Sequence, residues 1–312
     1  MDPISNHPLY KVHNIDSAMT SLWDFYKKKF AGLFIISLVM ALISQYLSSK
    51  IDLSELQTLT DPQELLLKMK DFIWPMIIIS VISLFFSTIL HYYVIYNPLD
   101  EENNIVRCAV KSLRYFIPYL ILMVLFAFFG SFALFLGLVA LIIGIFFAAL
   151  YVMTIYLFIL PVMMIEGPII AHTISRIFTL AHRKFWPNIG WTAVFVLILL
   201  VVSVIMSGLV LLPFTGSFMK VFTNPEDTSA MLELASNPIY IILNAVVSAL
   251  VYPFLPIFAC ILYFNGRALE DQKVSLVPPT DENDLKVKVE DLYAKPLPQS
   301  DDQTTEDIED IK

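Results

Sequence analysis

Six stretches of eighteen or more predominantly apolar residues alternate with polar segments, at about residues 31–48, 73–95, 116–133, 138–163, 191–213 and 239–264. At 1.5 Å of rise per residue, a run of that length crosses the roughly 30 Å of a bilayer's hydrocarbon, so each predicts one transmembrane helix. From Phe116 to Ile165 no acidic or basic side chain occurs, and the first carboxylate is Glu166. A single helix of that length would overshoot any bilayer, so this run predicts two spans, turning between Gly130 and Gly137.

The polar segments before spans one, three and five share a pattern. They read Lys28-Lys29-Phe30-Ala31-Gly32, Arg114-Tyr115-Phe116-Ile117-Pro118 and Arg183-Lys184-Phe185-Trp186-Pro187. The second and third agree further upstream, with Arg107 seven residues before Arg114 and Arg176 seven before Arg183. That spacing brings two guanidinium groups to one side of a helix, while Ile177, Phe178, Leu180 and Ala181 supply an apolar side. Such a helix is expected to lie in the membrane interface, its cationic stems reaching lipid phosphates. The predicted fold is therefore all-α and polytopic: six transmembrane helices as three hairpins, each preceded by an amphipathic interfacial helix. The repeats are expected at 15–95, 102–163 and 170–264, inside a membrane domain of residues 15–277 that follows an N-terminal cytoplasmic segment, residues 1–14.

Composition agrees with this reading, since 57% of the 312 residues are hydrophobic, 15% are charged and mean hydropathy is +0.72. A soluble domain of this size could not bury so much apolar surface. Twelve Lys and Arg residues precede span one, join spans two and three or four and five, or follow span six; four (Lys50, Lys68, Lys70 and Lys220) fall in the alternate loops. The positive-inside rule then puts both termini in the cytoplasm, with the protein in a bacterial-type inner membrane. About thirty residues precede the first apolar stretch, so no cleaved leader is expected. Eleven acidic residues against four lysines from Pro278 onward account for −7 of the net charge of −8. Residues 278–312 read as a disordered acidic cytoplasmic tail, a solvated end or a dock for a basic protein partner.

Candidate chemistry is sparse. Ionisable groups inside spans mark function because their burial is costly, yet Gln45, His91 and Asn244 are the main polar residues at depth. Glu166 ends span four and can pair with Arg107, Arg176 or Arg183, as a structural ion pair or as a substrate or proton site. Pro253 and Pro256 interrupt span six two to three turns beyond Asn244 and free backbone carbonyls there; such a break either kinks a packed helix or lines a transport pathway. The residues Glu166, Asn244, Pro253 and Pro256 form the candidate polar pathway. Arg107, Arg114, Arg176, Arg183 and Lys184 form the candidate collar for anionic lipid headgroups or a partner. Ala133, Gly137, Ala140, Gly144 and Ala148 recur at helical spacing, a face suited to close packing.

The five histidines follow neither HxxxH nor HExxH spacing, the two cysteines, Cys108 and Cys260, lie apart, and no GxSxG elbow or phosphate-binding glycine loop occurs. No catalytic, metal or cofactor site, and no nucleic-acid partner, is expected from these residues.

The segment Pro161-Val162-Met163-Met164-Ile165-Glu166-Gly167, with Ala171, Ser175-Arg176 through Phe185-Trp186, and Tyr263-Phe264-Asn265-x-Arg267, resembles a bacterial six-helix family. This family is related to the membrane domain attached to some glycerophosphoryl diester phosphodiesterases. The resemblance covers about residues 15–275, and the order Ser175-Arg176 departs from the family's Arg-Ser. It implies a six-span body without defined activity of its own; the phosphodiesterase chemistry would need a separate barrel that this chain has no room for. The expected role is non-enzymatic, a membrane scaffold or lipid-associated accessory protein. The alternatives are a transporter of a small molecule or lipid along spans four and six, and a membrane-embedded lipid enzyme.

Overall fold

The computed structural model describes residues 3–51, 62–100, 104–139, 141–216 and 236–276, together with Met219, Thr223 and Leu234. After a 3-10 turn at Pro3–Asn6 come helices α1 (Ile15–Lys28), α2 (Phe30–Ser48), α3 (Pro62–Tyr96), α4 (Ile105–Val139) and α5 (Leu141–Glu166). They are followed by α6 (Ile170–Arg183), α7 (Phe185–Leu211, extended by a 3-10 turn to Phe214), α8 (Pro238–Val251) and α9 (Phe254–Leu276). Among the described residues there is no strand. Six segments are long and apolar enough to cross a membrane: α2, α3, α4, α5, α7, and α8 with α9. The all-α, six-span fold is thus present. Residues up to Leu269 form one compact unit and those from Glu270 a second, of which only the end of α9 is described. The acidic tail lies outside the described residues.

Within the first unit, helices adjacent in sequence are adjacent in space: α2 packs on α3, α3 on α4, α4 on α5, α5 on α7 and α7 on α8. Helix α8 then packs against α2, so that the last span meets the first. The three expected hairpins are present, but α3 with α4 and α8 with α2 are joined just as closely.

The core lies where spans two, four and six finish, here called the basal end. Thr88–Ile95, Leu157–Met164 and Pro256–Asn265 are buried on every side, one stretch from each hairpin's second helix. Towards the opposite end α3 is bare, with Ile73, Trp74, Met76, Ile77 and Ile78 all exposed. These apolar surfaces suit hydrocarbon and would not be tolerated in water. The stability of the fold is therefore concentrated basally.

Three expectations are corrected. The turn between Gly130 and Gly137 is absent: α4 runs unbroken to Val139, and both glycines face α5. A β-carbon on Gly137 would sit 2.7 Å from the β-carbon of Ala148 and 2.8 Å from the carbonyl of Gly144, so the small-residue face serves close packing of α4 on α5.

The second interfacial helix does not exist as a separate element. Its residues form the first turns of the 35-residue α4, whose length of about 52 Å exceeds the hydrocarbon thickness. The third repeat does break, at Lys184 (φ −130°, ψ 62°). The residue between Arg and Phe decides: Lys184 is exposed and leaves the helix for solvent, whereas Tyr115 is buried against Tyr92 and holds α4 on course.

The apolar side of α6 faces protein. Ile177, Leu180 and Ala181 are buried and only Phe178 of the expected set is exposed. The segment before α1 packs on the core through Leu9 and the buried imidazoles of His7 and His13.

Candidate functional site

Glu166 closes α5, and the next residue explains why the helix ends there. Gly167 has φ +113°, which a side chain would strain, and Pro168 follows with no N–H to continue the ladder. A carboxylate at a helix C-terminus meets the negative end of the macrodipole, and here cations from two other helices offset it. Arg176 Nε of α6 lies 2.9 Å from both Glu166 oxygens. Arg267 Nη1 of α9 donates to Oε1 at 3.2 Å, and the Tyr263 hydroxyl donates to the same oxygen at 2.9 Å. The Glu166 side chain is 10% exposed, Arg176 18% and Arg267 29%, so the cluster is sheltered but its cations reach solvent. Two guanidinium groups face one carboxylate, and Tyr10 of the N-terminal segment also hydrogen-bonds Arg267. With three side chains engaging it, this carboxylate ties the ends of spans four and six together.

Of the residues expected to pair with Glu166, Arg176 does so. Arg107, Arg114, Arg183 and Lys184 are exposed, and the Arg114 guanidinium lies 5.8 Å from the Tyr115 ring. Of the expected collar, Arg176 is engaged by Glu166 and the other four cations are exposed. Tyr263 and Arg267 also engage Glu166; their four-residue spacing puts them on one helix face, but nothing local in the sequence pairs that face with the end of span four.

The expected break in span six occurs at Tyr252–Pro253, between α8 and α9. Pro253 and Pro256 are buried and Asn244 is half-buried. The freed carbonyl of Leu250 accepts a hydrogen bond from the Tyr26 hydroxyl of α1 at 3.1 Å, and Tyr26 and Trp23 stack on Phe254. The helix preceding span one therefore braces the fracture in span six. Glu166 belongs to the basal tie and the two prolines to this brace.

The N-terminal segment is fastened by two histidines. The amide of Leu9 donates to His7 Nδ1 at 3.1 Å, so the proton rides on Nε2, which donates to the carbonyl of Val94 at 3.0 Å. Burial, together with the nearby charge of Lys29, lowers the His7 pKa to about 4. The backbone N–H of His13 donates to Asn265 Oδ1 at 2.9 Å, and burial lowers the His13 pKa as well. A separate polar tie joins α6 to α7: the Asn188 amide donates to the last carbonyls of α6, those of Leu180 and Ala181, at 3.1 and 3.0 Å. One turn on, the Thr192 hydroxyl lies 3.0 Å from that of Thr154.

Two cavities adjoin these elements. One, of about 360 Å³, is lined by apolar residues of α4, α5 and α6, among them Leu122, Phe126, Ile155 and Ile177. The other, of about 370 Å³, lies between the N-terminal segment and α1 and is lined by Lys11, Lys28 and Lys29. Among the described residues no group of three or more His, Cys, Asp or Glu side chains could hold a metal ion.

Comparison with protein-family models, curated proteins and solved structures finds no match.

Proposed function

We propose that this chain is a non-enzymatic protein of a bacterial-type cytoplasmic membrane, a scaffold or lipid-associated accessory whose basal end faces the cytoplasm. The observation that carries this reading is the solidity of the basal core. Every residue from Ile257 to Phe264 is at most 1% exposed, the Glu166 carboxylate is engaged by three side chains, and residues 7–13 are pinned across the ends of spans two and six. Around this core stand the exposed cations Arg107, Arg114, Arg183 and Lys184, suited to anionic headgroups. The resemblance to the six-helix membrane domain points the same way, because that group has no defined chemistry of its own.

The test is lipid retention. Replacing Arg107, Arg114, Arg183 and Lys184 together with Gln should strip anionic lipid from the purified protein while leaving its helical content and monodispersity intact. Unchanged anionic lipid in that variant would overturn the reading.

The fracture of span six favours a second reading, transport of a small molecule or lipid past Asn244 and Pro253, since discontinuous helices line such pathways elsewhere. A cysteine placed at Asn244 and labelled by a membrane-impermeant thiol reagent would support transport; its protection would favour the scaffold.

A further inference from the structure

We propose that the cavity between the N-terminal segment and α1 is a binding site for a phosphate group, the headgroup of an anionic phospholipid such as phosphatidic acid or a free phosphate ion. The inference rests on the lipid-associated reading but concerns different residues. Three separate stretches of chain build the site: Pro8, Leu9 and Lys11 from the N-terminal segment, Ser21, Asp24, Phe25, Lys28 and Lys29 from α1 and its end, and Pro98 from beyond α3.

Each wall is fixed by the core. His7 ties the first stretch to Val94 at 3.0 Å and His13 ties it to Asn265 at 2.9 Å. Leu22, Phe25 and Tyr26 bury α1 against the bundle, and Lys29 ends that helix through its N–H to the carbonyl of Phe25 at 3.0 Å. Lys11, Lys28 and Lys29 thus line one cavity, and their like charges repel unless an anion comes between them.

The cavity's one carboxylate, Asp24, is already engaged by Lys27 at 3.1 Å, so the lining keeps a cationic surplus. Lysine binds phosphate as a point charge and needs no planar fork, which suits a tetrahedral anion that can rotate. Ser21 adds a hydroxyl donor. Trp23, on another face of α1, and Phe30, at the start of α2, are exposed, 51% and 40%, and aromatic rings exposed next to a transmembrane helix favour headgroup depth. The junction of α1 and α2, which supplies Lys28 and Lys29 to the cavity, is therefore suited to the depth of lipid phosphates.

The experiment titrates the purified full chain in neutral detergent with dioctanoyl phosphatidic acid, dioctanoyl phosphatidylcholine and inorganic phosphate, reading bound ligand by native mass spectrometry. Saturable binding of phosphatidic acid over phosphatidylcholine is expected. Replacement of Lys11, Lys28 and Lys29 together with Gln should weaken it at least about tenfold, from the loss of charge-assisted contacts, and Asp24→Asn should tighten it. Inorganic phosphate displacing phosphatidic acid at equal concentration would identify the free ion as the ligand of the same site; displacement only at large excess would identify the lipid. Wild-type affinity in a correctly folded triple Lys variant overturns the proposal, as does weaker binding in Asp24→Asn. If the triple Lys variant binds normally while the four-cation collar variant loses lipid, this site falls and the lipid-associated reading stands. If lipid binding fails only in the triple Lys variant, the site stands and the collar falls.

Discussion

The Tyr263 hydroxyl donates to Glu166 at 2.9 Å, and this contact across 97 positions of sequence joins the ends of spans four and six. With Arg176 and Arg267 on the same carboxylate, removing Glu166 leaves two guanidinium groups facing each other in a sheltered site. Glu166→Ala should cost about 2–3 kcal/mol, less than a fully buried pair because both arginines keep some water. Tyr263→Phe should cost about 1 kcal/mol. Unfolding in SDS followed by circular dichroism measures both, and an unchanged midpoint for Glu166→Ala would refute the tie.

Gly32 occupies the repeat position held by proline in the other two units, and the Tyr93 hydroxyl fills the space a β-carbon there would need. Gly32→Ala should destabilise by about 1–3 kcal/mol through overpacking. Adding Tyr93→Phe should restore part of that loss, because the hydroxyl is removed while the ring remains. Additive losses in the double variant would show that the two sites do not interact.

Tyr26 caps the Leu250 carbonyl that the Pro253 break exposes. Tyr26→Phe keeps the stacking on Phe254 and removes only the donor, so it should cost about 1–2 kcal/mol for the carbonyl left unsatisfied. Faster hydrogen exchange near residues 250–257, without change at Glu166, is the local signature to look for.

His7 is held neutral, its pKa lowered from 6.5 to about 4. Because the unfolded chain binds the proton more readily, the stability this group supplies is full above pH 6.5 and drains away as pH falls towards 4. A shift of that size corresponds to about 3 kcal/mol. Protonation at Nδ1 also removes the acceptor of the Leu9 amide. His13 acts in the same direction. Limited proteolysis at the N-terminus should accelerate between pH 6.5 and 4 in the native chain, and His7→Gln should flatten that dependence. An identical pH profile in both would show that His7 is not the sensor.

Gly167 holds φ +113° with no atom within 4 Å of an added β-carbon, so Gly167→Ala tests backbone strain alone. A loss of about 1–2 kcal/mol is expected, read as a lowered unfolding midpoint, and a neutral result would mean that the Glu166–Gly167 corner can be turned another way.

The residue pattern along the chain by itself determined the six spans, their pairing into hairpins, the break at Pro253 and the pairing of Glu166 with Arg176. These follow from local quantities: the length of an apolar run, a missing N–H, a charge where none is otherwise tolerated. Tertiary structure alone decided that Arg267 and Tyr263 join Arg176 on Glu166, why Gly32 departs from the repeat, and that a buried Tyr115 carries α4 through the junction where Lys184 breaks the chain. It also decided that the N-terminal segment packs on the core, since the His7 ring and the His13 backbone N–H find their acceptors on Val94 and Asn265, far away in sequence. Apolar periodicity reports that a side chain avoids water, but lipid and protein avoid water equally well. Only packing distinguishes the face of α6 that meets the bundle from one that would lie in the bilayer.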